Sequence, residues 1–221
     1  MALNKLKYNS LNLTPAANKA IGFDSDADAL EATHSGGAMV FIKKLTASSS
    51  STLSFVNGSS DVVLDSTYKE YVFMFRDIHP SGDGAHFSFN FSADSGSNYN
   101  VTKTSTMFYA RHDEAGSAPA LNYNTSGDIA QGTGIQTFAR SLGNDNDSSA
   151  GGYLHLFNPS STTFVKHYIG TVNYLEANDY TYNTFIAGYG NTTSAIDAVQ
   201  FKCDSGTIDA GSIVLYGIKD S

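Results

Sequence analysis

The chain has 221 residues, of which 41% are apolar and only 15% charged, and its formal net charge is −8. This length suits one large sandwich domain with a short arm and does not demand two domains. Phosphate binding needs clustered basic side chains, so the 13 scattered Lys and Arg residues, with Lys43 and Lys44 as the only adjacent pair, argue against nucleic acid as a partner.

Targeting signals are not recognisable in the sequence. Residues 1–8 lack an apolar segment, so we expect no secretory signal peptide, and no run of about 18 apolar residues suggests a membrane span. Cys203 is the single cysteine, which excludes an intramolecular disulfide and a zinc site built from cysteines. We therefore expect synthesis in a reducing cytoplasm.

Residues 1–37 are predicted to form a short, irregular N-terminal arm. They contain several asparagines and the acidic run DSDAD at 24–28, and they end at two glycines. The alanines at 16–20 and 27–32 allow a short helix, although its signal is weak.

Strand patterns follow one another from residue 38 onward. The clearest is 85–93, where the phenylalanines point to one side and polar residues to the other, namely His86, Ser88, Asn90 and Ser92. Apolar runs and alternation predict further strands at 38–45, 51–56, 62–64, 71–78 and 104–111. The segment 71–78 is apolar on both faces, as expected of a central strand.

Residues 113–150 are rich in Gly, Ser, Asn and Asp, but they are too many for a structureless loop in a compact domain. We expect a short strand near 121–123 and a strand or helical turn near 135–142. Regular strands are predicted again at 152–157, 163–174, 182–189, 195–203 and 212–218.

About ten strands separated by turn residues predict an all-β fold, a jelly-roll-like two-sheet β-sandwich over residues 38–221. Asn158-Pro159 should end one strand, and the turn residues at 204–211 predict a hairpin that places the last strand inside a sheet. The core is expected to contain Phe55, Phe73, Phe75, Phe87, Phe89, Phe91, Leu154, Leu156, Phe164, Phe201, Leu215 and Tyr216.

Several local patterns resemble catalytic or metal sites and are better explained as turns. Ser205 lies in an Asp-Ser-Gly sequence, but the glycines and the histidine that a serine protease would place around it are missing. The run 24–28 has the carboxylate spacing of a calcium loop without its glycine and final glutamate. Residues 144–147 (NDND) could hold a hard cation, and the six histidines contain no i,i+2 or i,i+4 pair. We predict no catalytic residue, cofactor or metal.

Tyrosines near turns are the candidate glycan-contact residues. Their rings can stack on sugars while Asn and Asp supply hydrogen bonds, although the chain has no Trp, the favoured platform. The candidates are Tyr99, Tyr123, Tyr180 and Tyr189.

Four segments resemble structural proteins common in cyanophages and other marine tailed phages, in the same order and over nearly the whole chain. They are 12–31 (NLTPAANKAIGFDSDADALE), 68–80 (YKEYVFMFRDIHP), 154–167 (LHLFNPSSTTFVKH) and 191–219 (NTTSAIDAVQFKCDSGTIDAGSIVLYGIK). The resemblance implies a β-sandwich exposed on the virion, in a tail fibre, a baseplate appendage or a capsid decoration. It implies no catalytic residues.

Three hypotheses follow. The leading one is a non-enzymatic virion protein, made in the host cytoplasm, that assembles with other virion proteins through its arm and forms a homo-oligomer, with a trimer favoured. The second is a module of a tail fibre that binds a host surface glycan. The third is a polysaccharide hydrolase, which the four scattered Glu residues do not support.

Overall fold

The computed structural model describes residues 37–220 and the backbone of two earlier strands, β1 (Ala20–Phe23) and β2 (Leu30–Thr33). It divides the chain into two units, Met1–Ala38 and Met39–Ser221. In the first unit β1 and β2 form an antiparallel hairpin, with Phe23 opposite Leu30. The arm is therefore not wholly irregular, and Ala20 and Leu30 lie in strands instead of helices. The acidic run 24–28 lies outside the described residues.

The second unit consists of strands, turns and loops, and residues 37–220 contain no helix. The predicted all-β fold class is confirmed. The strands are β3 (Met39–Thr46), β4 (Leu53–Val56), β5 (Glu70–Pro80), β6 (Ala85–Ser92), β7 (Lys103–Asp113), β8 (Ala120–Tyr123), β9 (Ile129–Gly132), β10 (Gln136–Leu142), β11 (Ala150–Phe157), β12 (Lys166–Glu176), β13 (Tyr180–Gly190), β14 (Ala198–Cys203) and β15 (Ile208–Ile218).

These 13 strands form one antiparallel sheet that folds over into two layers. The large sheet has the order β3-β15-β5-β11-β12-β13-β7, and β8 and β9 pair with the far edge of β7. The small sheet has the order β10-β6-β14-β4. A single pair, Leu142 opposite Glu176, connects the two layers, so the sandwich is nearly closed into a barrel.

An aromatic core fills the space between the layers. Phe201 of the small sheet lies 5.3 Å, between ring centroids, from both Phe73 and Phe75 of the large sheet. Tyr168 of the large sheet contacts Phe89 in the same way, with a separation of 5.3 Å. Aromatic pairs at these separations add to the free energy gained by burying their area. The core therefore ties the two sheets together.

Ten of the twelve predicted core residues are buried, and two are not. Phe164 is 68% exposed, because it lies in the loop between β11 and β12 and not in the predicted strand. Tyr216 faces away from the small sheet on β15, where its ring lies 6.1 Å from that of Phe41. The prediction is therefore wrong for Phe164 because the residue lies outside a strand, and wrong for Tyr216 because its side chain lies on the outer face of the sheet.

The polar side of β6 is buried as well, which the alternation did not predict. Asn90 donates from Nδ2 to the carbonyl oxygens of Tyr99 (2.6 Å) and Thr133 (3.2 Å). Ser92 accepts at Oγ from the backbone amide of Gly96 (3.0 Å). The polar side chains of β6 therefore do not face solvent. They form hydrogen bonds with the loop between β6 and β7, which covers this side of the strand.

The predicted hairpin at 204–211 is wrong. β14 belongs to the small sheet and β15 to the large one, so this turn crosses between the layers. Strand β15 already begins at Ile208 and contains bulges on either side of Ala210. Gly211 has φ of 105°, and a Cβ there would lie 2.3 Å from the carbonyl oxygen of Asp77. The final strand nevertheless lies inside a sheet, between β3 and β5, as expected.

Candidate functional site

The outer face of the large sheet, turned away from the small sheet, carries an unusual number of apolar side chains. Because side chains alternate along each strand, the residues between the core positions point outward. Seven of the large, exposed hydrophobic residues in the described part of the chain lie on this face: Met39, Phe41, Phe108, Leu121, Tyr123, Tyr153 and Ile169.

Neighbouring aromatic rings on the outer face pack against each other, both across strands and along one strand. Phe108 of β7 stacks on Phe185 of β13, with centroids 4.8 Å apart and an interplanar angle of 11°. On β11 the ring of Tyr153 lies 5.1 Å from that of His155. The His155 side chain also contacts the carboxylate of Glu70. Such contacts fix the rings in one arrangement, so the face is a preformed surface.

A depression with a volume of about 440 Å³ lies on the outer face over β12, β13 and β7. Ala187 lies in register between Ile169 and Thr106, and its short side chain leaves the space open. His167 and Tyr189 occupy the adjoining positions of β12 and β13, with ring centroids 6.0 Å apart. We call this feature the Ala187 depression.

A network of uncharged polar side chains borders one end of the Ala187 depression. Gln131 donates from Nε2 to Thr104 Oγ1 (2.6 Å) and to the Tyr189 hydroxyl (3.4 Å). Its Oε1 accepts from Asn191 Nδ2 (2.7 Å). Gln131 has φ of 49°, a left-handed backbone conformation that is costly for a residue other than glycine. The network therefore holds the amide of Gln131 and the ring of Tyr189 in place.

The four tyrosines predicted to contact glycan lie in different places. Tyr189 borders the Ala187 depression, and Tyr123 is exposed on the same face at β8. Tyr180 lies at the opposite end of β13, with its ring 5.0 Å from the guanidinium of Arg111. Tyr99 belongs to the loop over β6. The structure therefore does not bring the four into one site, and Tyr189 alone lines a cavity of this size.

Hydrogen bonds within the chain involve Tyr123 and a neighbour of Tyr180. The Tyr123 hydroxyl donates to Asp128 Oδ2 (2.7 Å), and this hydrogen bond raises the pKa of Tyr123. The hydroxyl of Tyr182, a neighbour of Tyr180, accepts from Arg111 (3.0 Å), which raises the pKa of Arg111. Both contacts satisfy polar groups within the chain.

Two other patterns, at Ser205 and at residues 144–147, are turns in the structure. Ser205 is exposed, and its Oγ lies 3.5 Å from Asp204 Oδ1. Residues 144–147 form a loop and turn, in which Ser148 donates from its amide to the carbonyl of Asp145. Within residues 37–220, no group of three or more His, Cys, Asp or Glu side chains is arranged to hold a metal ion. Burial raises the pKa of the Cys203 thiol to about 11.

Two buried lysines were not anticipated from the sequence. Lys103 and Lys166 lie in register on either side of Gly190. Lys103 Nζ donates to Asn90 Oδ1 and to the carbonyl of Val101, and burial lowers its pKa to about 8. Burial also lowers the pKa of Lys166, whose Nζ donates to the carbonyl of Thr192 (3.0 Å). Both amines tie loops to the ends of strands, and no sequence pattern marks them as buried.

A comparison with known protein families, with curated proteins and with solved structures finds no match for the chain. Among the described residues, no helix is long and apolar enough to cross a membrane.

Proposed function

We propose that the chain is a non-enzymatic structural protein of a tailed-phage virion, exposed on the particle in a tail fibre, a baseplate appendage or a capsid decoration. Two considerations support the proposal. Residues 68–80 and 191–219 resemble segments of marine-phage structural proteins. An all-β sandwich is also the fold that this resemblance implies.

The observation that carries the proposal is the apolar outer face at its β3 end. Met39 and Phe41 are 48% and 60% exposed, and Tyr216 lies beside Phe41. Exposed apolar groups that cluster in this way mark surfaces for contact with other proteins. Strand β3 also follows directly on the N-terminal arm, so a contact by the arm and a contact by this patch are joined in sequence.

A second copy of the chain is the occupant that we propose for this patch. Its four strands, β3, β15, β5 and β11, span about 20 Å, and the exposed area is on the order of 500 Å². A stable interface needs about 800 Å² from each partner. An interface built on this patch therefore needs further area, and we propose that the arm contributes it. Lys43 and Lys44 disfavour direct pairing along the β3 edge, which leaves the face as the contact.

The resulting assembly is a homo-oligomer, and a trimer is favoured because the fibres of the phages that the sequence resembles are commonly trimeric. In this arrangement the arm, residues 1–37, docks onto a neighbouring copy or another virion protein. The site of action is then the virion, after synthesis in the host cytoplasm.

Incorporation into particles tests the proposal. Two variants, deletion of residues 1–37 and Phe41→Asp, should each remain folded and be incorporated at least tenfold less than the wild-type chain. Phe164→Asp is the matched control, because Phe164 is equally exposed but lies in a loop outside the patch. Normal incorporation of the deletion variant, or equal losses for Phe41→Asp and Phe164→Asp, would contradict the proposal.

A further inference from the structure

The lining of the Ala187 depression limits the chemistry of its ligand. Thr, Ser, His, Ile, Ala, Gly and Tyr residues line it, and none of them is Asp, Glu, Lys or Arg. A site for an anionic ligand would need basic side chains, and the net charge of −8 adds repulsion. The depression therefore suits an uncharged ligand.

The same depression combines an apolar floor with an aromatic wall and a polar rim. Ala187 and Ile169 supply the floor, and Tyr189 supplies a ring whose face can pack against C–H groups. The exposed residue Gln131 donates to the Tyr189 hydroxyl, and the exposed residue Asn191 donates to Gln131, so amide groups border this end of the depression. A sugar ring has this dual character, since C–H groups cover one side and hydroxyl groups project from its edge.

The groups that would contact a sugar are already fixed. Gln131 is held at both ends of its amide, by Thr104 and by Asn191. The Tyr189 ring is held by the hydrogen bond to its hydroxyl and by the edge of His167. A preformed site loses less conformational entropy when it binds, and that saving increases affinity. The backbone conformation of Gln131, with φ of 49°, is the strained feature expected where a side chain is aimed for binding.

The volume of the Ala187 depression also suits a small ligand. Pockets for small molecules and ligand fragments are commonly about 300–1,000 Å³, and the depression measures about 440 Å³. We propose that the Ala187 depression binds a neutral hexose unit of a polysaccharide, with the sugar ring against Tyr189 and its hydroxyl groups toward Gln131 and Asn191. The residues that line this depression belong to β12, β13 and β7 and are different from Met39, Phe41 and Tyr216 of the β3 patch, so the proposal does not depend on the virion role.

Calorimetric titration of the full chain tests this site. The probes are lactose, maltose and N,N′-diacetylchitobiose, with a sulfated chondroitin disaccharide as the anionic comparison. At least one neutral probe should bind with a dissociation constant in the millimolar range or below, and the sulfated one should not. Tyr189→Ala and Ala187→Leu should each weaken binding at least tenfold, since the first removes the aromatic wall and the second fills the depression.

Tyr123→Ala is the matched control, because Tyr123 lies on the same face but outside the depression. It should bind the sugar within about twofold of the wild-type affinity. Gln131→Ala keeps the Tyr189 ring and should weaken binding as well, which covers the case that Tyr189→Ala fails to fold. The proposal is overturned if no neutral probe binds, if the sulfated probe binds as well as the neutral ones, or if Tyr123→Ala loses as much affinity as Tyr189→Ala. Binding of a protein partner at this face, with no binding of any sugar probe, would equally overturn the proposal.

Discussion

The two faces of the large sheet carry the same kinds of side chain but differ in exposure. On the inner face, Tyr71, Phe73 and Leu154 pack against the small sheet and are shielded from solvent. On the outer face, Phe41 and Tyr153 remain exposed, although they lie on strands of the same sheet. The difference comes from what covers each face, since the small sheet covers one and no described residue covers the other.

This comparison shows why apolar content alone does not identify a core. In β5 both faces are apolar, and Val72 is buried by its outward-facing neighbours even though the small sheet does not reach it. Burying an apolar side chain in the interior contributes about 1.5–3 kcal/mol, whereas an exposed one contributes little until a partner covers it. The inner face therefore holds the fold together, and the outer face is available for contacts.

The largest expected effect separates the two faces by truncating one ring on each. Phe73→Ala should lower the free energy of unfolding by about 3–5 kcal/mol, because the ring is fully buried against those of Phe55 and Phe201. Phe41→Ala should cost less than about 1 kcal/mol in the isolated subunit. Urea denaturation measures both, and similar losses would show that the faces are assigned wrongly.

An intermediate effect is expected from adding one methyl group to each face. A Cβ at Gly170, on the inner face, would lie 2.9 Å from the Phe138 ring, so Gly170→Ala should destabilise the chain by about 1–3 kcal/mol. At Gly151, on the outer face, the nearest atom is 3.8 Å away, and Gly151→Ala should change stability by less than about 0.5 kcal/mol. Thermal unfolding compares the two, and a loss at Gly151 as large as at Gly170 would contradict the inner-face packing.

The smallest expected effect is a change of stability with pH that comes from Lys103, the buried first residue of β7. Burial lowers the pKa of this amine from 10.5 to about 8. Between these values the unfolded chain keeps the proton that the folded chain has released, so the free energy of unfolding should rise with pH by up to about 1.4 kcal/mol per unit. Below pH 8 both states hold the proton, and this contribution to the slope disappears.

Comparison with Lys103→Met isolates the contribution of Lys103 to the pH dependence of the free energy of unfolding. Burial also raises the pKa of Cys203 and Tyr174, but these groups titrate alike in both proteins and cancel in the difference. Denaturation at pH 7.5, 8.5 and 9.5 should show wild-type stability rising relative to the variant by about 1 kcal/mol per unit above pH 8. A constant difference across this range would show that Lys103 is solvated in the folded state.

The sequence predicted most strands because alternation and turn residues are local signals. Strand β9 has no clear signal in the sequence, because Ile129–Gly132 is short and its pairing is irregular. The strand predicted at 62–64 is wrong, because Val62 and Leu64 are buried in a loop. Pairing partners were harder to predict. The turn at 204–211 has the residues of a hairpin, yet it crosses between the sheets, because tertiary packing decides which strands meet.

The candidate site was only partly predictable for the same reason. The sequence marks Tyr189 as a turn tyrosine, but its partners Gln131 and Thr104 come from two other strands, β9 and β7. A pattern in one segment cannot show which residues of other segments lie beside it. The burial of Lys103 was likewise invisible, since its acceptor Asn90 belongs to the covered side of β6.

Sedimentation equilibrium of the purified full chain at micromolar concentration tests the central claim most directly. The outer face at the β3 end is proposed to contact a second copy, so the wild-type chain should sediment as a homo-oligomer, with a trimer favoured, and Phe41→Asp should sediment as a monomer. Tyr123→Asp, a substitution on the same face away from the β3 end, should leave the oligomer intact. A monomeric wild-type chain, or a Phe41→Asp variant that associates as the wild type does, would contradict the account.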